Sequence, residues 1–320
     1  MNSLTEEQLD RVAGVVLGTA VGDALGAPYE FEVAIPGPDG PQMIGGGLGD
    51  FAPGEWTDDT TLAWAVLDVA ATGADLRSED ALTAIARHFY TWYRSGPPDI
   101  GAQTSMVLRS AGPDPTGTAM TAVSADTHAR TGHTAGNGSL MRTAPVALAY
   151  LNDPDGLVQA ARQVSALTHY DPQAQNACAL WSLAIRHAVI SGELDLRGGL
   201  AHLDDADAQY WTDRIDEAET RGSSSFRPNG WVVTALQAAW SSIHHTRADF
   251  DGDPQHLSQA LTRAIAIGND TDTVAAIAGG LLGARYGASA VPTGWREMCH
   301  GYPGLTGEDL IALALQAAAR

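Results

Sequence analysis

Two short stretches carry enough oxygen donors to hold metal ions. Thr57, Asp58 and Asp59 follow Gly54-Glu55-Trp56 at the start of one helical pattern, and Asp270, Asp272 and Thr273 stand at the start of another. Capping explains one or two such residues at a helix start, because their oxygens accept free backbone N–H groups and acids suit the helix dipole. It does not call for three consecutive donors in one place and three within one turn in the other. Several carboxylates gathered at one point repel unless cations neutralise them. Carboxylates and hydroxyls without His or Cys suit Mg²⁺ or Mn²⁺ and disfavour zinc. Four carboxylates are expected to hold two divalent cations, an arrangement that activates a water and orients substrate oxygens. Spacing alone does not bring the two stretches together.

Helices must do that. Apolar residues recur three or four apart from Glu6 to about Gly26, with Thr5 and Gln8 in capping-box spacing. Helical runs are also expected over Thr57–Ala71 and from Ser78 to about Gly96. Further runs are Gly101–Ala111, Ser139–Leu151, Asp155–Leu167 and Pro172–Ser191. The last set is Asp205–Glu219, Trp231–His244, Pro254–Ala266, Thr271–Tyr286 and Glu308–Ala319. Strand alternation is absent, apart from a possible hairpin in the Gly- and Pro-rich stretch Phe31–Phe51. Pro113–Gly138 and Arg221–Gly230 read as long irregular loops, which are often binding or lid segments. The simplest organisation is one all-α domain over residues 1–320.

The chain has 320 residues and a formal charge of −20. So acidic a surface disfavours broad binding to nucleic acid or anionic lipid, and an anionic ligand needs local help from cations or backbone N–H groups. Cys178 and Cys299 read as buried free thiols. The polar, acidic N-terminus does not resemble a signal peptide, and no apolar run approaches the length of a membrane span, so the chain is expected in the cytoplasm.

In order along the chain stand Gly14-Val15-Val16-Leu17-Gly18-Thr19-Ala20-Val21-Gly22-Asp23-Ala24-Leu25-Gly26, Tyr29-Glu30-Phe31, Trp56-Thr57-Asp58-Asp59-Thr60 and Asp99-Ile100-Gly101. Gly136-Asn137-Gly138-Ser139-Leu140-Met141-Arg142, Thr168-His169, Gly230-Trp231-Val232 and Gly268-Asn269-Asp270-Thr271-Asp272-Thr273 follow. This ordered set resembles the ADP-ribosylglycohydrolase family, which includes the dinitrogenase-reductase-activating glycohydrolases and the ADP-ribosyl-acceptor hydrolases. The resemblance covers nearly the whole chain. It implies a compact, multi-helix orthogonal bundle and a pair of Mg²⁺ or Mn²⁺ ions on Thr57, Asp58, Asp59, Asp270, Asp272 and Thr273.

By the same resemblance Glu30 lies near the metals, as a ligand or against the scissile ribose, and Asp23 orders the Gly-rich turn. Thr134, Gly136, Asn137, Gly138 and Ser139 form a loop at a helix N-terminus, where backbone N–H groups approach a diphosphate. His169 lies toward the adenosine. Trp231 stands where nitrogenase-linked members carry a tyrosine that stacks on the ligand; burial in the core is its rival reading.

The implied reaction is hydrolysis at ribose C1 of an ADP-ribosyl group, with Glu30, Asp58, Asp59 or Asp272 taking part in catalysis and a first-shell aspartate or Glu30 as the base. The acceptor could be an arginine of a protein, which is favoured, a serine, or a small molecule such as O-acetyl-ADP-ribose. The rival class is a non-catalytic ADP-ribose-binding or crystallin-like protein, which would be expected to lose ligands; none of the six is lost. A phosphoesterase would commonly add His ligands.

Overall fold

Glycine at every fourth position of the first helix decides the centre of the fold. In the computed structural model, which describes residues 4–319, helix α1 (Glu6–Gly26) places Gly14, Gly18, Gly22 and Gly26 on one face. Opposite them runs a helix bearing Ala275, Gly279 and Gly283. A Cβ on Gly14 would collide with the Gly283 carbonyl, one on Gly18 with that of Gly279, and one on Gly22 with that of Ala275. The register runs antiparallel and ends with Gly26 against the backbone of Asp272. Two backbones pressed this closely set the C-terminal end of one helix beside the N-terminal end of the other.

The remaining helices wrap this pair. They are α2 (Asp58–Ala71), α3 (Glu79–Arg94), α4 (Ala102–Ala111), α5 (Gly117–Thr131), α6 (Ala144–Ala149) and α7 (Pro154–Ala166). Then come α8 (Pro172–Ser191), α9 (Asp205–Thr220), α10 (Val232–Phe250), α11 (Gln255–Ile265) and α12 (Thr271–Tyr286), the partner of α1. Short α13 (Thr293–Met298) and α14 (Gly307–Ala318) complete the chain. The fold is all-α. One continuous apolar core runs through it, with Trp56, Trp181 and Trp211 among its largest buried side chains.

α1 corrects the expectation that no apolar run is long enough to span a bilayer. It passes by length and composition, with a mean hydropathy of 1.3, yet the whole apolar window is buried inside the protein. It is the central core helix.

Three other expectations change. Pro113–Gly138 is not one loop, because α5 fills its middle. Thr116 caps α5 by accepting the Ala119 N–H at 3.1 Å, and left-handed Gly132 ends it. Its buried face is Gly117, Met120, Ser124 and Thr127, too small and polar to mark an apolar stripe. The run Ser139–Leu151 is helical only over Ala144–Ala149, preceded by a single 3₁₀ turn at Asn137–Ser139. Phe31–Phe51 forms no strand, only isolated bridges Gly37–Gly40 and Gly46–Phe51. The two-residue strands β1 (His300–Gly301) and β2 (Leu305–Thr306) lie elsewhere, near the C-terminal end.

Candidate metal centre and active site

The end of α1 and the starts of α2 and α12 meet, and the two acidic stretches meet with them. Asp23, fully buried on α1, is the tie. Its carboxylate accepts the Thr57 N–H at 3.0 Å, the Thr60 N–H at 2.9 Å and the Thr60 hydroxyl at 2.6 Å. Asp23 therefore fixes the start of α2 and does not order a Gly-rich turn, because the glycines around it are helical. Burial raises its pKa to about 6. One carboxylate oxygen each of Asp23, Asp59 and Asp272 lies within 4.8 Å of the others, as do those of Glu30, Asp270 and Asp272. Asp23 also accepts these donors from α2, so it ties the first group to the start of that helix.

The carboxylates are in a state that water-free burial does not favour. Burial, then repulsion from Asp270, Asp99, Asp58 and Asp23, pushes Glu30 up to about 9. Asp58, Asp59 and Asp272 are raised well above the ordinary carboxylate range, by burial first and then by neighbouring acids. Asp270 is raised by burial and partly relieved by hydrogen bonds, chiefly from the Asn137 side chain at 2.7 Å. Among the described residues no ion pair reaches any of them. Asp59 Oδ1 is buried with no hydrogen-bond partner at all. A buried acceptor without a donor is costly, and a cation would satisfy it. The donor set is carboxylate and hydroxyl, with no His or Cys in either group, so it fits hard divalent ions.

The helix starts explain the placement. Thr57 is the N-cap of α2 and its hydroxyl donates to Asp59 Oδ2 at 3.1 Å. Asp58 accepts the Gly101 N–H at 3.4 Å, Asp272 the Thr273 N–H at 2.9 Å. Glu30 arrives on the kinked turn after α1. Its own backbone is extended, Phe31 and Glu32 are left-handed, and the Phe31 N–H donates to the Asn269 carbonyl at 2.8 Å. The Glu30 side chain has no hydrogen-bond partner among the described residues.

A cavity of about 350 Å³ opens over these acids. Glu30, Asp58, Asp59, Asp270, Asp272 and Thr273 line it, facing Gly136, Asn137, Gly138 and His169. Thr57 lies beneath, buried and outside the lining. The glycine segment is laced to residues before α10: Asn137 N–H donates to the Gly230 carbonyl at 3.0 Å and Asn137 Nδ2 to the Asn229 carbonyl at 3.0 Å. A Cβ on Gly138 would sit 3.1 Å from His169 Cε1. No α-helix begins there: Ser139 ends the 3₁₀ turn and makes no cap, and α6 starts at Ala144. The Ser139 hydroxyl instead turns into the core, accepting from Ser165 at 2.9 Å. Thr134 also faces away, its hydroxyl 2.6 Å from His128 Nδ1. Trp231 is 40% exposed, which excludes the core reading. Its indole N–H donates to Gln173 Oε1 at 3.1 Å, and it lines an adjoining hollow that shares Gly136 and Gly230 with the main cavity.

His169 is set from behind. Arg142, fully buried with no carboxylate partner, donates from Nη2 to the Thr168 hydroxyl at 2.8 Å and stacks over Phe89 at 4.6 Å. The Thr168 hydroxyl lies 2.7 Å from His169 Nδ1. The Thr168 hydroxyl hydrogen has no other acceptor among the described residues, so it is placed to donate to Nδ1, which would leave Nε2–H as a donor beside Gly136 and Gly138. Burial, then the Arg142 cation, holds His169 well below its usual pKa, so it is neutral.

Sequence reasoning missed Asp99, Gln103 and Arg142. Asp99 lines the cavity and is raised by burial, then by Asp270; it stood in a quoted motif block with no role assigned. Gln103 donates to the carbonyls of Thr134 at 3.0 Å and Thr168 at 2.9 Å, joining the two sides of the cavity, and no local signal marks it.

An all-helical fold with an acid-lined cavity suited to hard cations and walled by a glycine segment is compatible with a metal-assisted enzyme of the hydrolase class. The chain belongs to the ADP-ribosylglycohydrolase family, whose model matches residues 4–320. It is 29% identical to the ADP-ribosylarginine hydrolase Tri1 of Pseudomonas putida, covering 92% of this chain and 76% of that protein. It is 32% identical to the ADP-ribosyl-dinitrogen reductase glycohydrolase of Rhodospirillum rubrum, covering 89% of each, and 26% identical to the ADP-ribosylhydrolase ARH3 of Bos taurus, covering 92% and 90%. A solved ADP-ribosylglycohydrolase-related protein complex superposes with a TM-score of 0.69 at 28% identity, over 98% of this chain and 99% of that one.

Proposed function

We propose that this protein hydrolyses the bond between ribose C1 of an ADP-ribosyl group and an arginine side chain of a protein. The chain works as one domain, in the cytoplasm, without broad affinity for nucleic acid or membranes. Thr57, Asp58, Asp59, Asp270, Asp272 and Thr273 hold two cations, Mg²⁺ or Mn²⁺. Bound there, the cations neutralise the carboxylates, orient the ribose hydroxyls and lower the pKa of a water. The observation that carries the reading is the convergence of both acidic stretches on one cavity, with Asp59 Oδ1 buried and unpartnered.

The chain's own groups divide the remaining work. Glu30, whose carboxylate is free of hydrogen bonds, takes the proton from the attacking water. His169 Nε2–H and the N–H groups of Gly136 and Gly138 face oxygens of the diphosphate or the adjoining ribose. Trp231 offers its exposed indole face to the adenine. Asp99, an acid in the cavity without a basic partner, accepts from the guanidinium of an arginine acceptor. Two of the relatives carry ADP-ribosylarginine or dinitrogen reductase in their names, which favours arginine over serine.

The test is release of free ADP-ribose from arginine-, serine- and acetyl-linked conjugates, with Mg²⁺ or Mn²⁺ and with chelator. Turnover of the arginine conjugate that chelator abolishes is expected. Full turnover in Asp58→Ala, or indifference to chelator, would overturn the metal-centred reading.

A further inference from the structure

The cavity opens beside the segment from Phe31 to Leu48, and this segment is unusually apolar on its outer side. Phe31 is 53% exposed, Val33 55%, Ile35 83%, Ile44 56% and Leu48 51%. The other exposed large apolar side chains of the described residues are spread over the rest of the chain. Scattered apolar residues on a surface mean nothing, whereas a concentration of them marks a contact surface. The segment is held in place. Tyr29 OH accepts the Gln42 N–H at 2.8 Å, Met43 is buried, Gly46 pairs with Phe51, and Glu32 pairs with Arg227 at 2.6 Å. Its apolar side chains are therefore presented on a fixed backbone.

We infer that residues 31–48 form the docking surface for the polypeptide that surrounds the ADP-ribosylated arginine, recognising a protein face of mixed apolar and basic character. This rests on the proposed hydrolysis of an arginine conjugate. Two observations select that occupant. Phe31 and Leu48 belong both to the exposed segment and to the cavity wall. An arginine entering the cavity thus brings its flanking chain against the two ends of this segment, Phe31 and Leu48. The charges also agree. From Phe31 to Leu76 the chain has no Arg, Lys or His; Glu32 is already paired with Arg227, while Asp39 and Asp50 lie within or beside the segment and Asp99 lines the cavity. Such a rim attracts basic neighbours and repels anionic lipid or a second copy of this acidic chain.

The test compares two substrates: a folded protein ADP-ribosylated on one surface arginine, and ADP-ribosylated free arginine. The variant is Ile35→Ser with Ile44→Ser, neither of which lines the cavity. KM for the protein substrate is expected to rise about tenfold, equivalent to ~1.4 kcal/mol, while kcat/KM for ADP-ribosylarginine stays within about twofold and the melting temperature holds. An unchanged KM for the protein substrate would overturn the docking surface. So would an equal loss on both substrates, which would make the segment part of the cavity's own architecture. If the unaltered enzyme cleaves the small conjugate but not the protein, docking fails and the catalytic reading stands. If it cleaves neither, the catalytic reading fails and takes docking with it.

Discussion

Replacing Glu30 by Gln should make the metal-free protein more stable while it cripples turnover. Glu30 is 7% exposed, and burial with four neighbouring acids lifts its pKa from 4.5 to about 9. The folded metal-free protein therefore holds a proton on this group that the unfolded chain has released, throughout the window from 4.5 to about 9. The sign follows from linkage. The group costs nothing below its unfolded pKa, and folding stability falls as pH rises through the window. At pH 7.5 about three units of the window have been crossed, at ~1.4 kcal/mol each, which sets a ceiling of roughly 4 kcal/mol. Neighbouring aspartates take up protons as well and share the strain, so about half of that should appear. For a chain of this size ~2 kcal/mol corresponds to a melting shift of about 3 °C.

The assay is thermal unfolding in chelator at pH 7.5 and again near pH 4.5. The variant should melt about 3 °C above the unaltered protein at the higher pH, and the gap should close at the lower one. Gln keeps the size of Glu and disturbs no hydrogen bond among the described residues. A variant that melts at or below the unaltered protein at pH 7.5 would refute the reasoning. So would a gap that does not depend on pH. With Mg²⁺ or Mn²⁺ present, the same change should lower kcat by about 10²–10⁴-fold, the usual worth of a lost proton acceptor.

Asp58→Asn and Asp272→Asn should each remove most of the rise in melting temperature that Mg²⁺ or Mn²⁺ gives, together with turnover; calorimetric titration with either ion checks both. Asp23→Ala leaves the Thr57 and Thr60 N–H groups buried without an acceptor. It should cost roughly 2–4 kcal/mol in chemical denaturation, and it should weaken ion binding through the displaced start of α2. Gly279→Ala drives a Cβ into the Gly18 carbonyl; a loss of at least ~2 kcal/mol is expected. A chelated Gly279→Ala protein as stable as its parent would show that α1 and α12 are not as close as described.

What the sequence revealed depended on whether a signal was local. α3 was legible because Leu82, Ile85, Phe89 and Trp92 draw an apolar stripe that its buried face confirms. α5 was not, because its buried face is made of Gly, Met, Ser and Thr. The six proposed ligands were legible because acids and hydroxyls cluster at helix starts beyond what capping requires. Gln103 and Arg142 escaped, and Asp23 was assigned the wrong task, because each acts on groups distant in sequence. Arg142 reaches Thr168 and Gln103 reaches both Thr134 and Thr168, and nothing beside them in the chain announces those partners. Ser139 was misjudged for the converse reason. Its neighbours resemble a cap, but the helix it would cap starts only at Ala144.

The glycine stripe gives the site its position and its need for cations together. Spacing by four is visible in α1, but its meaning depends on Ala275, Gly279 and Gly283 matching it from the far end of the chain. Once the two backbones are pressed together, Gly26 lies against Asp272, and the acids of α12 cannot retreat from Asp23 and Glu30. The N-termini of α2 and α12 bring favourable dipole ends to the carboxylates, each worth at most ~2 kcal/mol. The five raised carboxylates Glu30, Asp58, Asp59, Asp270 and Asp272, with no basic partner among the described residues, exceed that relief. Bulkier residues along the stripe would separate the helices and ease the repulsion, and they would also scatter the oxygens that hold the ions. The close approach therefore costs stability because it gathers the carboxylates, and under the proposed function bound cations would turn the same geometry into a stabilising one.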